Sequence, residues 1–100
     1  MSFEIVKGDY GRIYRGIVED VDYSDCTAKM YVWNSSGTKV VDGKDCVVSF
    51  HTPDTWVDYI PATGDFNVVP GLYKALIKFE KSGVMERSVP FTWEVLDKEP

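Results

Sequence analysis

The stretch Tyr73 to Glu80, YKALIKFE, alternates without a break. Tyr73, Ala75, Ile77 and Phe79 fall on one side of an extended chain, and Lys74, Leu76, Lys78 and Glu80 on the other. Side chains repeat every two residues in a strand and every 3.6 in a helix, so a strand collects the four odd positions on one face and a helix scatters them. The same period recurs upstream. Cys26, Ala28, Met30 and Val32 oppose Thr27, Lys29, Tyr31 and Trp33. It recurs again near the C-terminus, where Val89, Phe91, Trp93 and Val95 share a face opposite Thr92 and Glu94. Pro90 has no amide hydrogen for a ladder and marks an edge, a bulge or a strand start.

Turn residues cut the remaining chain into short pieces. Phe3 to Lys7 reads as a first strand ending at Gly8-Asp9, and Arg12 to Glu19 as a second with mixed faces. EDVDYSD (residues 19–25) is an acidic loop, and NSSG (34–37) is a hairpin turn from which Thr38 to Val41 returns antiparallel. After a DGKD turn come strands at Cys46 to Phe50 and Thr55 to Ile60, then the turn-rich connection PATGDFNVVPG. About seven short strands and no helical window predict an all-β fold, a two-layer antiparallel sandwich with a small closed barrel as the rival. In the sandwich the Tyr73 and Val89 sets face each other and supply the core. The 100 residues fit one domain spanning 1–100, with residues 96–100 as a frayed tail.

Composition narrows the function more than it defines it. The formal net charge is −5 and no basic run is present, which disfavours nucleic acid and anionic membranes as partners. The N-terminus lacks a basic segment followed by an apolar one, so export by a signal peptide is not expected. No apolar run approaches the roughly 20 residues of a spanning helix. Cys26 and Cys46 come nearly opposite each other across the NSSG hairpin, one residue out of register. A cross-strand disulfide is therefore geometrically open, while the missing signal peptide favours reduced thiols that pack as small hydrophobes.

His51 is the single histidine, and with the cysteines it matches none of the usual zinc spacings. Cys46 and His51 are five apart, on opposite faces of a strand, which is wrong for a thiol–imidazole pair. The acidic loop lacks the calcium-loop pattern, and phosphate-binding and nucleophile-elbow motifs are absent. The expectation is a protein that is not an enzyme, with no catalytic residue, no metal and no cofactor. Aromatic residues, 14% of the chain, are the remaining signal. Tyr31 and Trp33 share a face, and Trp56 points away from Val57 and Tyr59. These three are candidates for a protein interface or for sugar stacking. Trp93 is expected in the core, and Trp33 is open between core and surface.

The order of signals resembles a known family. KGD (Lys7-Gly8-Asp9) precedes a strand, and the hairpin MYVWNSSGTKVVDG spans Met30 to Gly43. VDYIP covers Val57 to Pro61, GDF is followed after three residues by PGLYKALIKF (Gly64 to Phe79), and FTWEV comes near the end of the chain. This succession is similar to the N-terminal domain of phage baseplate upper proteins, from the tail tips of siphophages of Gram-positive hosts. The resemblance implies an Ig-like sandwich that acts as a non-catalytic assembly module of a phage tail or baseplate. Its expected partners are other tail proteins and further copies of itself, its place the virion after synthesis in the host cytoplasm. A carbohydrate-binding β-sandwich module using the exposed aromatics is the alternative.

Overall fold

The computed structural model describes residues 2–82 and 85–97. It contains β1 (Ser2–Val6), β2 (Tyr14–Val18), β3 (Thr27–Trp33), β4 (Lys39–His51), β5 (Asp54–Tyr59), β6 (Gly71–Lys81) and β7 (Met85–Leu96). No helix occurs among the described residues. The fold is all-β, with hydrogen-bonded neighbours in the order β1-β7-β6-β3-β4-β5-β2. Every neighbouring pair is antiparallel except β1 and β7, which run parallel. This seven-stranded sheet curls nearly into a barrel. Its two outermost strands, β1 and β2, are not paired, yet the rings of Phe3 and Tyr14 meet across the gap with centroids 5.7 Å apart.

Two expected strands, Thr38–Val41 and Cys46–Phe50, are one. The DGKD segment that reads as a turn lies inside β4, and the cause is Gly43. Tyr31 pairs with Asp42 and Met30 with Lys44, so Gly43 is the additional residue of a β-bulge. Its φ of 68° is the left-handed conformation that a bulge of this type places on glycine. A glycine with positive φ reads as a turn in sequence, but it serves a bend within a strand equally well. Three residues beyond the bulge β4 changes partner: Lys39 to Cys46 pair with β3, and Val47 to His51 pair with β5.

A Cβ added at Gly43 would lie 3.3 Å from the Tyr31 hydroxyl. Gly43→Ala therefore combines left-handed strain with a tight contact and is expected to cost about 1–2 kcal/mol. A lowered urea midpoint at unchanged slope is the measurement that checks this.

The core is built differently from the expected arrangement. Tyr73, Ala75, Ile77 and Phe79 are buried, as are Phe91, Trp93 and Val95. The two sets do not face each other, however. Tyr73 pairs with Trp93, Ala75 with Phe91 and Ile77 with Val89, so they lie side by side on one face of neighbouring strands. The opposing wall comes from elsewhere. Tyr59 of β5 and Tyr14 of β2 reach Trp93 at 6.3 and 4.7 Å between centroids, and Tyr23 reaches Phe79 at 4.7 Å. Phe66, in the connection between β5 and β6, is wholly buried against Trp93 at 4.5 Å.

The connections are tied to this core. The buried Thr55 hydroxyl donates to the Val21 carbonyl at 2.7 Å and accepts from the Tyr23 amide at 2.9 Å, which fastens the acidic loop to β5. Pro90 lies in β7 opposite Leu76, and β1 begins only opposite Thr92. Among the described residues nothing pairs with the outer side of β7 at Pro90, and an unpaired flank is one of the places where a residue without an amide hydrogen is tolerated. The frayed tail expected at 96–100 starts too early, because Leu96 still belongs to β7 and pairs with Val6; residues 98–100 of that tail and the glycine of the expected Lys-Ser-Gly turn lie outside the described residues.

Candidate interaction surface

β3 is central in the sheet, between β6 and β4, so its two faces have opposite fates. Cys26, Ala28, Met30 and Val32 are buried, while Tyr31 and Trp33 stand half-exposed on the outer face. This resolves Trp33, which sequence left open, in favour of the surface. The two rings stack at 6.0 Å with their planes 17° apart, and the Lys39 ammonium lies 5.3 Å from the Tyr31 ring centroid. Tyr31 also rests on Gly43, so its position is set by the bulge. A flat aromatic pair on a wet sheet face offers rigid apolar area with polar tips, suited to a protein surface or a sugar ring.

Trp56 is held apart from that pair. It lies on β5 between Ile17 of β2 and Ser49 of β4. From one flanking strand comes the Arg15 guanidinium, 4.3 Å from the ring centroid. From the other comes the His51 ring, stacked at 3.7 Å. Arg15 is itself fixed by Asp58, to which Nε donates at 2.7 Å and Nη2 at 2.8 Å. Both neighbours occupy the indole, and among the described residues no ring contact joins Trp56 to Tyr31 or Trp33. The three candidate aromatics are thus two separate features.

The Arg15 hydrogen bond holds the Asp58 carboxyl below its ordinary range, against the opposing effect of partial burial. A carboxylate lowered in the folded state contributes its stabilisation fully above the unfolded value of about 3.9 and loses it as pH falls through the folded value. Asp58→Asn is therefore expected to lower stability near neutral pH, by up to about 1 kcal/mol for a pair this open to solvent. The difference from the parent should close as the pH drops below about 4. Urea midpoints of both proteins across acid pH check it.

Cys26 is buried and Cys46 half-buried, and both are thiols. Cys46 pairs with Ala28, so Cys26, just before β3, lies two positions along the chain from the residue opposite Cys46. The expected single-residue offset becomes two because β4 carries its extra residues at the bulges. Burial, then the neighbouring carboxylates of Asp45 and Asp58, push the Cys46 thiol up to about 12. Alkylation by iodoacetamide near neutral pH should therefore run on the order of a thousandfold slower at Cys46 than at an ordinary cysteine. Mass spectrometry of a time course reads this directly. His51 is committed to Trp56 and, through Nε2, to the Ser49 hydroxyl at 3.1 Å. Among the described residues no group of three or more His, Cys, Asp or Glu side chains is placed to hold a metal ion.

Two surface features have no counterpart in the sequence reading. One is the exposed apolar set on the outer face of β2, β5 and β4, where Ile17 is 48% and Val47 is 64% exposed around the Arg15–Asp58 pair. The strict period-2 pattern hides it, because Ile17 and Val47 occupy positions where a polar residue is expected. The other is an open cleft of about 580 Å³ between the β3–β4 hairpin tip and the approach to β6. Asn34, Val40, Val69, Pro70, Leu72 and Tyr73 line it.

Neither a family model nor a curated protein matches the chain. Among solved structures, 97% of it superposes on part of a family 123 glycoside hydrolase from Clostridium perfringens, studied for glycolipid glycan hydrolysis. The TM-score is 0.46 and the identity 12%. The chain spans 23% of the length of that hydrolase chain.

Proposed function

We propose that this chain is a non-catalytic assembly module that makes protein–protein contacts through the outer face and edges of its sheet. The observation that carries this reading is the outward Tyr31–Trp33 pair, rigidly stacked on a central strand where a solvated face would ordinarily be polar. Exposed Ile17 and Val47 on another part of the same outer surface support it. The order of motifs from KGD to FTWEV adds the narrower proposal that the assembly is a phage tail or baseplate. In that proposal the curled sheet is an Ig-like two-layer sandwich, with β4 as the strand that crosses between layers. Its partners would be tail proteins and further copies of itself, within the virion.

Size-exclusion chromatography with light scattering, alone and with purified siphophage tail proteins, tests the reading. Co-elution that is lost in Tyr31→Ala and Trp33→Ala variants is the expected result. A chain that stays monomeric and co-elutes with none of them overturns it. The near-parallel, half-exposed rings of Tyr31 and Trp33 also favour a second reading, a carbohydrate-binding module, since an exposed aromatic face can stack on a sugar ring. Trp56, with Arg15 and His51 on its ring, would not take part. A shift in tryptophan fluorescence on titration with Gram-positive wall polysaccharides, abolished by Trp33→Ala, would establish this second reading over the first.

A further inference from the structure

We propose that β2 is a dimerisation edge: two copies pair their β2 strands antiparallel about a two-fold axis at Ile17, so that the two sheets run on into each other. This rests on the assembly reading above and deepens it by naming the surface and the partner, a second copy of this chain. One flank of β2 is paired along its whole length with β5. The other ends the strand order and has no backbone partner among the described residues. An open row of amide and carbonyl groups is a template for another strand.

The side chains decide which strand fits. A two-fold axis normal to the sheet keeps each face continuous, so two residues can oppose each other only if both belong to the same face. Arg15, Ile17 and, just beyond the strand, Glu19 follow one another at alternate positions, and all three are exposed. With the axis at Ile17, that side chain meets its own copy, and Arg15 meets Glu19 of the second copy on both sides of it. Opposite charges directly across a sheet are stabilising, and here symmetry forms the pair twice.

Both charged groups have capacity for the contact. Arg15 engages Asp58 through Nε and Nη2, which leaves Nη1 with its donors. Glu19 enters no ion pair among the described residues. On the inner face the same register sets Gly16 opposite Val18 of the second copy, so the smallest residue meets a branched one.

The other open edge does not share this complementarity. Within β1 the single charged residue is Glu4. Lys7, three positions on, has the opposite parity, so no two-fold register brings it opposite Glu4. Self-pairing of β1 forms no opposite-charge pair in any two-fold register.

Cysteine cross-linking with light scattering tests the proposal. Opposed residues of an antiparallel pair have Cα atoms about 4.5–5.5 Å apart, within disulfide range. Ile17→Cys should therefore cross-link rapidly to a covalent dimer under mild oxidation. Ile13→Cys, whose copies would lie roughly 25 Å apart in this register, should behave like the parent. Light scattering of the parent should show a concentration-dependent dimer, weakened on the order of a hundredfold in Ile17→Lys, which sets two ammonium groups against each other. Far-UV circular dichroism shows whether that variant is folded, and the cysteine variants carry the test if it is not. A dimer in which Ile17→Cys cross-links no faster than Ile13→Cys overturns the β2 edge and leaves the assembly reading intact. A monomer at every concentration also overturns the edge, and the assembly reading is then judged by co-elution with tail proteins.

Discussion

Trp93→Ala is expected to cost about 3–5 kcal/mol, enough to remove most of the stability of a domain this size. Trp93 is fully buried, and the rings of Phe3, Tyr14, Tyr59 and Phe66 all pack on it. Those rings come from β1, β2, β5 and the β5–β6 connection, so truncation opens a cavity that no single neighbour can fill. Thermal unfolding should fall by at least about 12 °C. Trp93→Phe should cost markedly less. The Trp93 indole N–H is buried without a hydrogen-bond partner among the described residues. An unsatisfied donor of this kind costs about 1–3 kcal/mol, which the phenylalanine variant recovers while it loses volume. If the two variants were equally destabilised, the ring cluster would not be organised around the indole in this way.

Phe66→Ala should cost nearly as much as a core strand substitution, about 3–5 kcal/mol, although Phe66 belongs to a connection. The loop is held where it can deliver this ring. The Asp65 carboxylate accepts from the Tyr59 hydroxyl and from the Ala62 amide at 2.9 Å, and the Phe66 carbonyl accepts from the Gly8 amide at 3.0 Å. Burial, then this hydrogen bond, raises the Tyr59 phenol above its ordinary value, so the donor stays protonated throughout the neutral range. Because Phe66 and Trp93 touch, the double variant should be less destabilised than the sum of the singles by about 0.5–3 kcal/mol. Chemical denaturation of the two singles and the double closes the cycle. A Phe66→Ala loss below about 1 kcal/mol would mean that the ring is not part of the core.

What the sequence discloses depends on how local the determining physics is. The β6 face, the buried side of β3 and the core position of Trp93 follow from period-2 patterning, which needs no knowledge of neighbours. Gly43 shows where that fails. A left-handed glycine is the same local signal in a turn and in a bulge, and only pairing with β3 decides between them. Phe66 shows a second failure, since no periodicity exists in a loop to mark one residue as core. The opposition expected between β6 and β7 was a choice of partner, and local pattern says nothing about whether two apolar strands lie beside or across from each other.

The candidate surface divides in the same way. Tyr31 and Trp33 could be assigned to one face of a strand by counting. Their exposure and the separation of Trp56 depend on which strands flank them. The Arg15–Ile17–Glu19 alternation is plain in the chain, but it acquires meaning only once β2 is found at the end of the strand order.

The parallel pairing of β1 with β7 has a kinetic consequence. Ser2 to Val6 register against Thr92 to Leu96, segments at opposite ends of the described chain. Contacts so far apart in sequence close late, because the entropy of the intervening loop is lost before they stabilise anything. On the ribosome the first strand emerges early and waits for its neighbour until nearly all the remaining strands have been made. Until then the Phe3 ring that finally caps Trp93 is uncovered, and the nascent chain presents an adhesive segment to its surroundings. A module whose last native contact joins its first and seventh strands completes its ring cluster in a single closing step, and it can cover that ring only after the seventh strand has emerged.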